Sequence, residues 1–267
     1  MPSPTPASAG TVARALPWKF AALTDTGKVR DNNEDAIAFD PSLGVALLAD
    51  GMGGYNGGEV ASGMAIALVQ ASFGRWLAHA GPAAPPRAVR RAMQSSTDEA
   101  NRAIFDASAA NEQLRGMGTT LVVAAFGIPR VLVGHIGDSR CYRLRGTALE
   151  QLTRDHSLLQ EQIDAGSITP QEAAVSPHRN LVTRALGIER QVELEINEHT
   201  AEPGDLFLLC SDGLSEMLSD AQIFTLLLQD RSLPEKATLL VALANENGGR
   251  DNISVVLALA GPAATSA

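Results

Sequence analysis

Residues 45–49 form an unbroken apolar run that ends at Asp50, and the glycine-rich Gly51-Met52-Gly53-Gly54 follows. Five apolar residues bounded in this way predict a buried strand. The strand delivers a carboxylate to its end and then bares backbone in a loop, either to bind a cation or to let a group approach the main chain closely. Comparable runs predict strands at 18–23, 36–39, 119–126, 131–136, 141–144, 149–152, 192–196, 206–210 and 253–259. Helices are predicted at 58–79 and 87–110, separated by Pro82, Pro85 and Pro86, and again at 220–229 and 234–245. Residues 24–27 read as a turn, and the turn at 41–44 makes a hairpin of the strands at 36–39 and 45–49, with the polar stretch 28–35 at the same end as Asp50.

Between 155 and 187 the pattern loosens into a short helix and a polar segment containing Pro170 and Pro177. An excursion of that length marks a functional flap or a partner-facing element. Strands and helices come in blocks rather than in alternation, which predicts an α+β fold with mainly antiparallel sheets. No repeat or composition break divides the chain. Residues 17–260 are expected to form a single domain, between a disordered tail at 1–16 rich in Pro, Ser, Thr and Ala and a short tail at 261–267.

Composition narrows the function. The 267 residues are 45% hydrophobic, enough for one substantial core, and the net charge of −9 argues against a nucleic-acid partner. No apolar run approaches the roughly 18–20 residues of a membrane span, and the N-terminus has no signal-peptide pattern, so a cytoplasmic location is expected. Cys141 and Cys210 lie in or beside apolar runs and are expected to be buried free thiols.

Three carboxylates flank strongly apolar runs: Asp50 after 45–49, Asp212 after 206–210 and Asp251 before 253–259. Asp138 lies in a tight turn after 131–136. Carboxylates at such places are costly to desolvate unless paired or bound to a cation. A turn-forming role accounts for any one of Asp50-Gly51, Asp212-Gly213 and Asp251-Asn252, but three together exceed what turns need. If they converge, the site is all-oxygen and suits Mg²⁺ or Mn²⁺ rather than Zn²⁺. His79, His135, His156, His178 and His199 are scattered, and His135 reads as a core residue of its strand. No phosphate-binding P-loop is present. A dinucleotide fingerprint fails because it needs glycine where Asn56 stands and an acid between Gly63 and Arg75. Arg30 reads equally well as a functional cation or as the surface partner of Glu34 one turn along.

Several segments together carry a resemblance. Thr24-Asp25-Thr26-Gly27-Lys28-Val29-Arg30-Asp31-Asn32-Asn33-Glu34-Asp35, Ala49-Asp50-Gly51-Met52-Gly53-Gly54, Gly116-Met117-Gly118-Thr119-Thr120, Gly137-Asp138-Ser139-Arg140, Ser211-Asp212-Gly213 and Asp251-Asn252 resemble, in order, the motifs of the metal-dependent protein phosphatases, the PPM or type 2C family. The segment from Arg179 to Gly187 is similar to the flap-end motif of the bacterial branch. The resemblance covers about 19–259 and implies an αββα sandwich, two mainly antiparallel sheets flanked by helices, with a centre for two Mn²⁺ or Mg²⁺ ions.

The same resemblance implies roles. Asp50 would bridge the two ions, Asp212 and Asp251 would complete one site, and the Gly51 carbonyl would contribute to the other. Glu34 and Asp35 would hold waters of the metals, and Arg30 would clamp the substrate phosphate with its planar fork. Asp138 with Asp212 would hold a third, weaker ion, with Asn180 a further candidate ligand. Two divalent cations about 3.5–4 Å apart lower the pKa of a water between them, so that it attacks phosphorus directly and no phosphoenzyme is required. Met52 departs from relatives that carry a histidine there, which leaves the proton donor to the leaving group unassigned. The implied activity is hydrolysis of phosphoserine and phosphothreonine in phosphorylated proteins, opposing a Ser/Thr kinase. The reading of a different class is a catalytically silent phosphoprotein-binding module. Its mark would be loss of Asp50, Asp212 or Asp251, and none is lost.

Overall fold

The computed structural model describes residues 18–262 apart from 55–56, 82–83, 128–129, 175 and 177–180. The tail expected at 1–16 and residues 263–267 of the C-terminal one lie outside the described residues.

In chain order the strands are β1 (Trp18–Asp25), β2 (Asp35–Asp40), β3 (Val45–Met52), β4 (Gly118–Thr119), β5 (Leu121–Phe126), β6 (Arg130–Ile136), β7 (Arg140–Arg145), β8 (Ala148–Gln151), β9 (Glu195–Thr200), β10 (Leu206–Cys210) and β11 (Ile253–Ala260). The α-helices are α1 (Gly57–Ala80), α2 (Pro86–Ala110), α3 (Leu158–Asp164), α4 (Pro170–Ala174), α5 (Asp212–Ser215), α6 (Asp220–Leu227) and α7 (Leu233–Glu246). Local chemistry sets several boundaries. Pro86 opens α2, where its missing N–H has no partner to lose, and Ser219 with Gln222 and Ser232 with Glu235 close capping boxes at α6 and α7.

The strands form two antiparallel sheets, in the orders β1-β11-β10-β7-β8 and β2-β3-β5-β6-β9, with β4 added to the end of β3. Alternation along β3 explains how they stack. Val45, Leu47 and Ala49 pack under α1 and α2 with Val69, Phe73 and Met93, while Ala46 and Leu48 face Phe207, Leu209, Val256 and Ala258 of the other sheet. On that sheet's far side, Tyr142, Leu208 and Leu257 pack with Ile223, Leu227 and Leu240 of α6 and α7. The result is helices, sheet, sheet, helices: the αββα sandwich. Because its central strands bury both faces, they read as continuous apolar runs rather than as alternation.

Tertiary pairing corrects three expectations. β3 does not stop at Asp50 but runs on to Met52, because Gly51 and Met52 pair with Thr119 and Gly118 of β4. The run at 119–126 is broken at Thr120, whose side chain and amide turn to the Asp50 backbone instead of continuing one ladder. The strand expected at 192–196 is β9 at Glu195–Thr200, since pairing of Ile196 with Gly134 fixes the register; Leu194 instead packs under α2 and donates its N–H to Gln94 at 3.2 Å. Cys141 and Cys210 are buried free thiols, and His135 is a buried strand residue, as expected. Among the described residues no helix is long and apolar enough to cross a membrane.

Leu48, fully buried between the sheets, sets a stability test. Leu48→Ala is expected to lower the unfolding free energy in urea by about 2–5 kcal/mol, against a change within about 0.5 kcal/mol for Leu228→Ala on the surface.

Candidate metal centre

Strand parity aims the first two acids. Asp50 shares the parity of Ala46 and Leu48, so its side chain turns toward the space between the sheets at their end. Asp35 is its register partner on β2 and lies on the same face. The other sheet brings its acids to that end by topology. β10 stops at Cys210 and α5 opens with Asp212 after Ser211 alone, while Asp251 is separated from the neighbouring β11 by Asn252 alone. Asp138 joins them from the turn between β6 and β7. The group is close enough that Asp50 feels the charges of Asp35, Asp212 and Asp138, and Asp212 feels that of Asp251.

The backbone around Asp50 is held on both sides. Its N–H donates to Thr120 Oγ1 at 2.9 Å, and its carbonyl accepts from Thr119 Oγ1 at 2.8 Å and from the Thr120 N–H at 2.9 Å. Asn252 does the same for the polar stretch before β2. Its Oδ1 accepts the Glu34 N–H at 2.8 Å, and its Nδ2 donates to the carbonyls of Thr26 and Asn32, both at 2.9 Å. Ser211 donates to Asp35 Oδ2 at 2.8 Å and accepts the Ser254 N–H at 3.0 Å. Thr119, Thr120, Ser211 and Asn252 all lie inside the motifs quoted above. Their signal in the sequence was adjacency to the acids, and the contacts that make them matter span distant parts of the chain.

Two glycines correct the turn-forming reading of the Asp-Gly pairs. Neither Gly51 nor Gly213 has positive φ: one lies in β3 and the other in α5. A Cβ at Gly51 would stand 2.1 Å from the Gly58 carbonyl oxygen, and one at Gly213 would stand 2.0 Å from that of Asn252. These positions are glycine because another backbone passes against them, which lets the acid-bearing segments close on one another.

The electrostatics are those of an uncompensated anionic cluster. Burial, followed by the neighbouring carboxylates, pushes Asp35 up to about 7, Asp138 up to about 8 and Asp212 up to about 6. Asp50 is held well above the usual carboxylate range by burial and by Asp35, Asp212 and Asp138, and burial raises Glu34. Asp35 Oδ1 and Asp212 Oδ1 are buried and make no hydrogen bond among the described residues. Buried anionic oxygens without donors fit a divalent cation, and an all-oxygen donor set fits Mn²⁺ or Mg²⁺.

Arg30 stands at the rim. Its side chain is 49% exposed and donates from Nη2 to Asp251 Oδ2 at 2.7 Å. That bond and the charge of Asp251 raise its pKa despite the opposing effect of burial. The alternative pairing with Glu34 is not made; Glu34 instead accepts from Asn32 Nδ2 at 3.4 Å. Gly51 donates its N–H to the Glu34 carbonyl at 3.1 Å. Asp35, Asp50, Asp138, Asp212 and Asp251 are thus brought together, with Arg30, Glu34 and Gly51 around them. Asn180 lies outside the described residues. A cleft of about 370 Å³ opens from Asp138 and Asp212 toward Gln160 and Ile163 of α3, beneath part of the expected flap. Arg140 also lines it, tied to Asp155 through Nε at 3.0 Å and Nη2 at 2.6 Å.

Comparison with known proteins agrees with this geometry. The family model for protein phosphatase 2C matches residues 27–248. The serine/threonine phosphatase stp of Listeria monocytogenes is 37% identical over 237 residues, which cover 88% of this chain and 92% of that protein. The crystal structure of the Mycobacterium tuberculosis serine/threonine phosphatase PstP/Ppp superposes with a TM-score of 0.82 at 40% identity, covering 91% of this chain and 99% of that one. The catalytic domain of PstP in complex with two manganese ions gives a TM-score of 0.80 at 39% identity, covering 92% and 100%. From motif order, fold and these likenesses alike, the chain belongs to the protein phosphatase 2C family.

Proposed function

We propose that this protein is a Mn²⁺- or Mg²⁺-dependent phosphatase that removes phosphate from serine and threonine in phosphorylated proteins. The observation that carries this reading is the convergence of Asp35, Asp50, Asp138 and Asp212 at one end of the sandwich, with Asp35 Oδ1 and Asp212 Oδ1 buried and without a hydrogen-bond partner among the described residues. Membership of the family and the serine/threonine phosphatases among its relatives support the substrate class.

Asp50, Asp212, Asp251 and the Gly51 carbonyl would hold two ions, and Asp138 with Asp212 a third, weaker one. When bound, the cations lower the pKa of water and offset the charge of the phosphoryl group. Asp35 and Glu34 would accept hydrogen bonds from waters at the occupied centre and so orient them, and Ser211 holds Asp35 in place for this. Among the described residues Arg30 hydrogen-bonds only Asp251, through one of its five N–H groups. The rest of the fork is available for phosphoryl oxygens at the rim, where it also stabilises charge developing in transfer. Asn252, by fixing Asn32 and Glu34, keeps the Arg30 segment over the acids.

The same reading makes residues 17–260 one catalytic domain with a flap at 155–187 beside the cleft. The reaction that must supply its substrates is phosphorylation of proteins on serine or threonine, so a Ser/Thr kinase is its proposed counterpart. A catalytically silent binding module has no support, because no expected acid is missing or turned away.

Purified protein is expected to release phosphate from a phosphothreonine peptide with Mn²⁺, and to lose that activity in EDTA or as Asp212→Asn. A folded protein without turnover in any divalent metal would contradict the assignment. Arg30→Ala is expected to lower kcat/KM by about a hundredfold, with Arg30→Lys recovering only part because a point charge cannot reproduce the fork. Steady-state kinetics decide this, and equal activity of Arg30→Ala and wild type would remove Arg30 from phosphate binding.

A further inference from the structure

Away from the acid cluster, His135, His156 and Glu195 bring ligand-capable atoms within 4.8 Å of one another. His135 on β6 is the register partner of Glu195 on β9, and His156 lies just before α3. The two imidazoles stack with centroids 4.6 Å apart and planes 17° from parallel. Two histidines and a carboxylate can hold Zn²⁺, but the hydrogen bonds decide otherwise here. The Gly137 N–H donates to His156 Nδ1 at 3.2 Å, so Nδ1 carries the lone pair and the neutral ring has its proton on Nε2. Nε2 then donates to Glu195 Oε2, also at 3.2 Å. Metal binding through Nε2 would move that proton to Nδ1, against the Gly137 N–H. Glu195 and Gly137 therefore select the same tautomer, and both ring nitrogens are committed. Burial and the neighbouring His135 lower the His156 pKa, which favours the neutral ring this arrangement requires.

The amide so gripped belongs to the residue before Asp138. Gly137 is held twice, because its carbonyl also accepts the His156 backbone N–H at 2.9 Å. Its φ of +98° and a Cβ position 2.6 Å from Thr120 Cγ2 make glycine obligatory in this tight turn. On the other side of Asp138, Ser139 Oγ shares a hydrogen bond with Thr120 Oγ1 at 2.8 Å, and Thr120 holds Asp50. Asp138 thus hangs between the His156 clamp and the Asp50 strand. The His156 carbonyl in turn accepts the Thr183 N–H at 2.8 Å, where the flap returns to the sheets.

We propose that His156, fixed in one tautomer by Glu195, is a positioning residue that sets Asp138 for its cation by clamping Gly137 at both its N–H and its carbonyl. The inference rests on the reading of Asp138 as a ligand of the third, weaker ion.

Two substitutions separate an acceptor at Nδ1 from a ring that only fills space. Asparagine places an oxygen where Nδ1 stands, and glutamine places its amide where Nε2 stands. Mn²⁺ binding to the full chain, followed by the spin-resonance signal of free Mn²⁺, is compared for wild type, Asp138→Asn, His156→Asn and His156→Gln. Asp138→Asn is expected to lose the weak ion and keep the tight ones. His156→Gln is expected to weaken the weak ion by about 10–100-fold, as removal of a group that orients a metal ligand does, while His156→Asn stays near wild type. Should His156→Gln fail to fold, Glu195→Lys offers a second route. Its ammonium presents a donor to Nε2, selects the opposite tautomer and is expected to weaken the same ion. Equal weak-ion affinity in both His156 variants, or wild-type affinity in Glu195→Lys, overturns the inference and leaves the Asp138 reading standing. Unchanged weak binding in Asp138→Asn overturns both.

Discussion

Mutual repulsion among buried carboxylates is the constraint around which this molecule is arranged. Asp35, Asp50, Asp138 and Asp212 each lie where burial, followed by neighbouring carboxylates, disfavours the charged form. Among the described residues Arg30 hydrogen-bonds the cluster only at Asp251 on the rim. A fold holds such a group together only if the scaffold is stiff and a counter-charge arrives. The scaffold is two stacked sheets whose strands end together, with backbones so close at Gly51 and Gly213 that no side chain fits between them. The counter-charge that fits is divalent.

The polar residues around the acids share one task. Thr119 and Thr120 fix the Asp50 backbone, Ser211 links Asp35 to β11 through Ser254, and Asn252, just before β11, ties down Thr26, Asn32 and Glu34 of the connection between β1 and β2. Each spends a short side chain on at least one backbone group, and Ser211 also donates to the Asp35 carboxylate. His156 extends the same logic to the fourth acid, with a ring in place of a hydroxyl or amide. Met52, at the end of β3, offers no proton, and the commitment of both His156 nitrogens keeps that residue from acting as an acid in its place.

Much of this was legible in the chain. Strands such as β3, β10 and β11 announced themselves because burial on both faces leaves them continuously apolar, and the acids stood out because they interrupt those runs. Register was not legible. β9 begins three residues later than the strand expected at 192–196 and runs on to Thr200, because the ladder with β6, and not hydrophobicity, selects it. With β9 misplaced, nothing in the sequence could bring Glu195 to His135 and His156. Each Asp-Gly pair taken alone reads as a turn, since glycine serves both turns and close backbone contact, and only the three-dimensional neighbours distinguish the two. Arg30 found Asp251, 221 residues away, in preference to Glu34 on its own segment, a choice that local spacing cannot express.

The central claim is that the acid cluster is a metal centre whose repulsion a divalent cation relieves. Its most direct test is the thermal unfolding midpoint of wild type and Asp50→Asn, each with and without Mn²⁺. The account predicts that Mn²⁺ raises the midpoint of wild type, that Asp50→Asn raises the metal-free midpoint by removing one repelling charge, and that Mn²⁺ then adds little. A wild-type midpoint indifferent to Mn²⁺, or an Asp50→Asn protein that keeps the full Mn²⁺ increment, would contradict it.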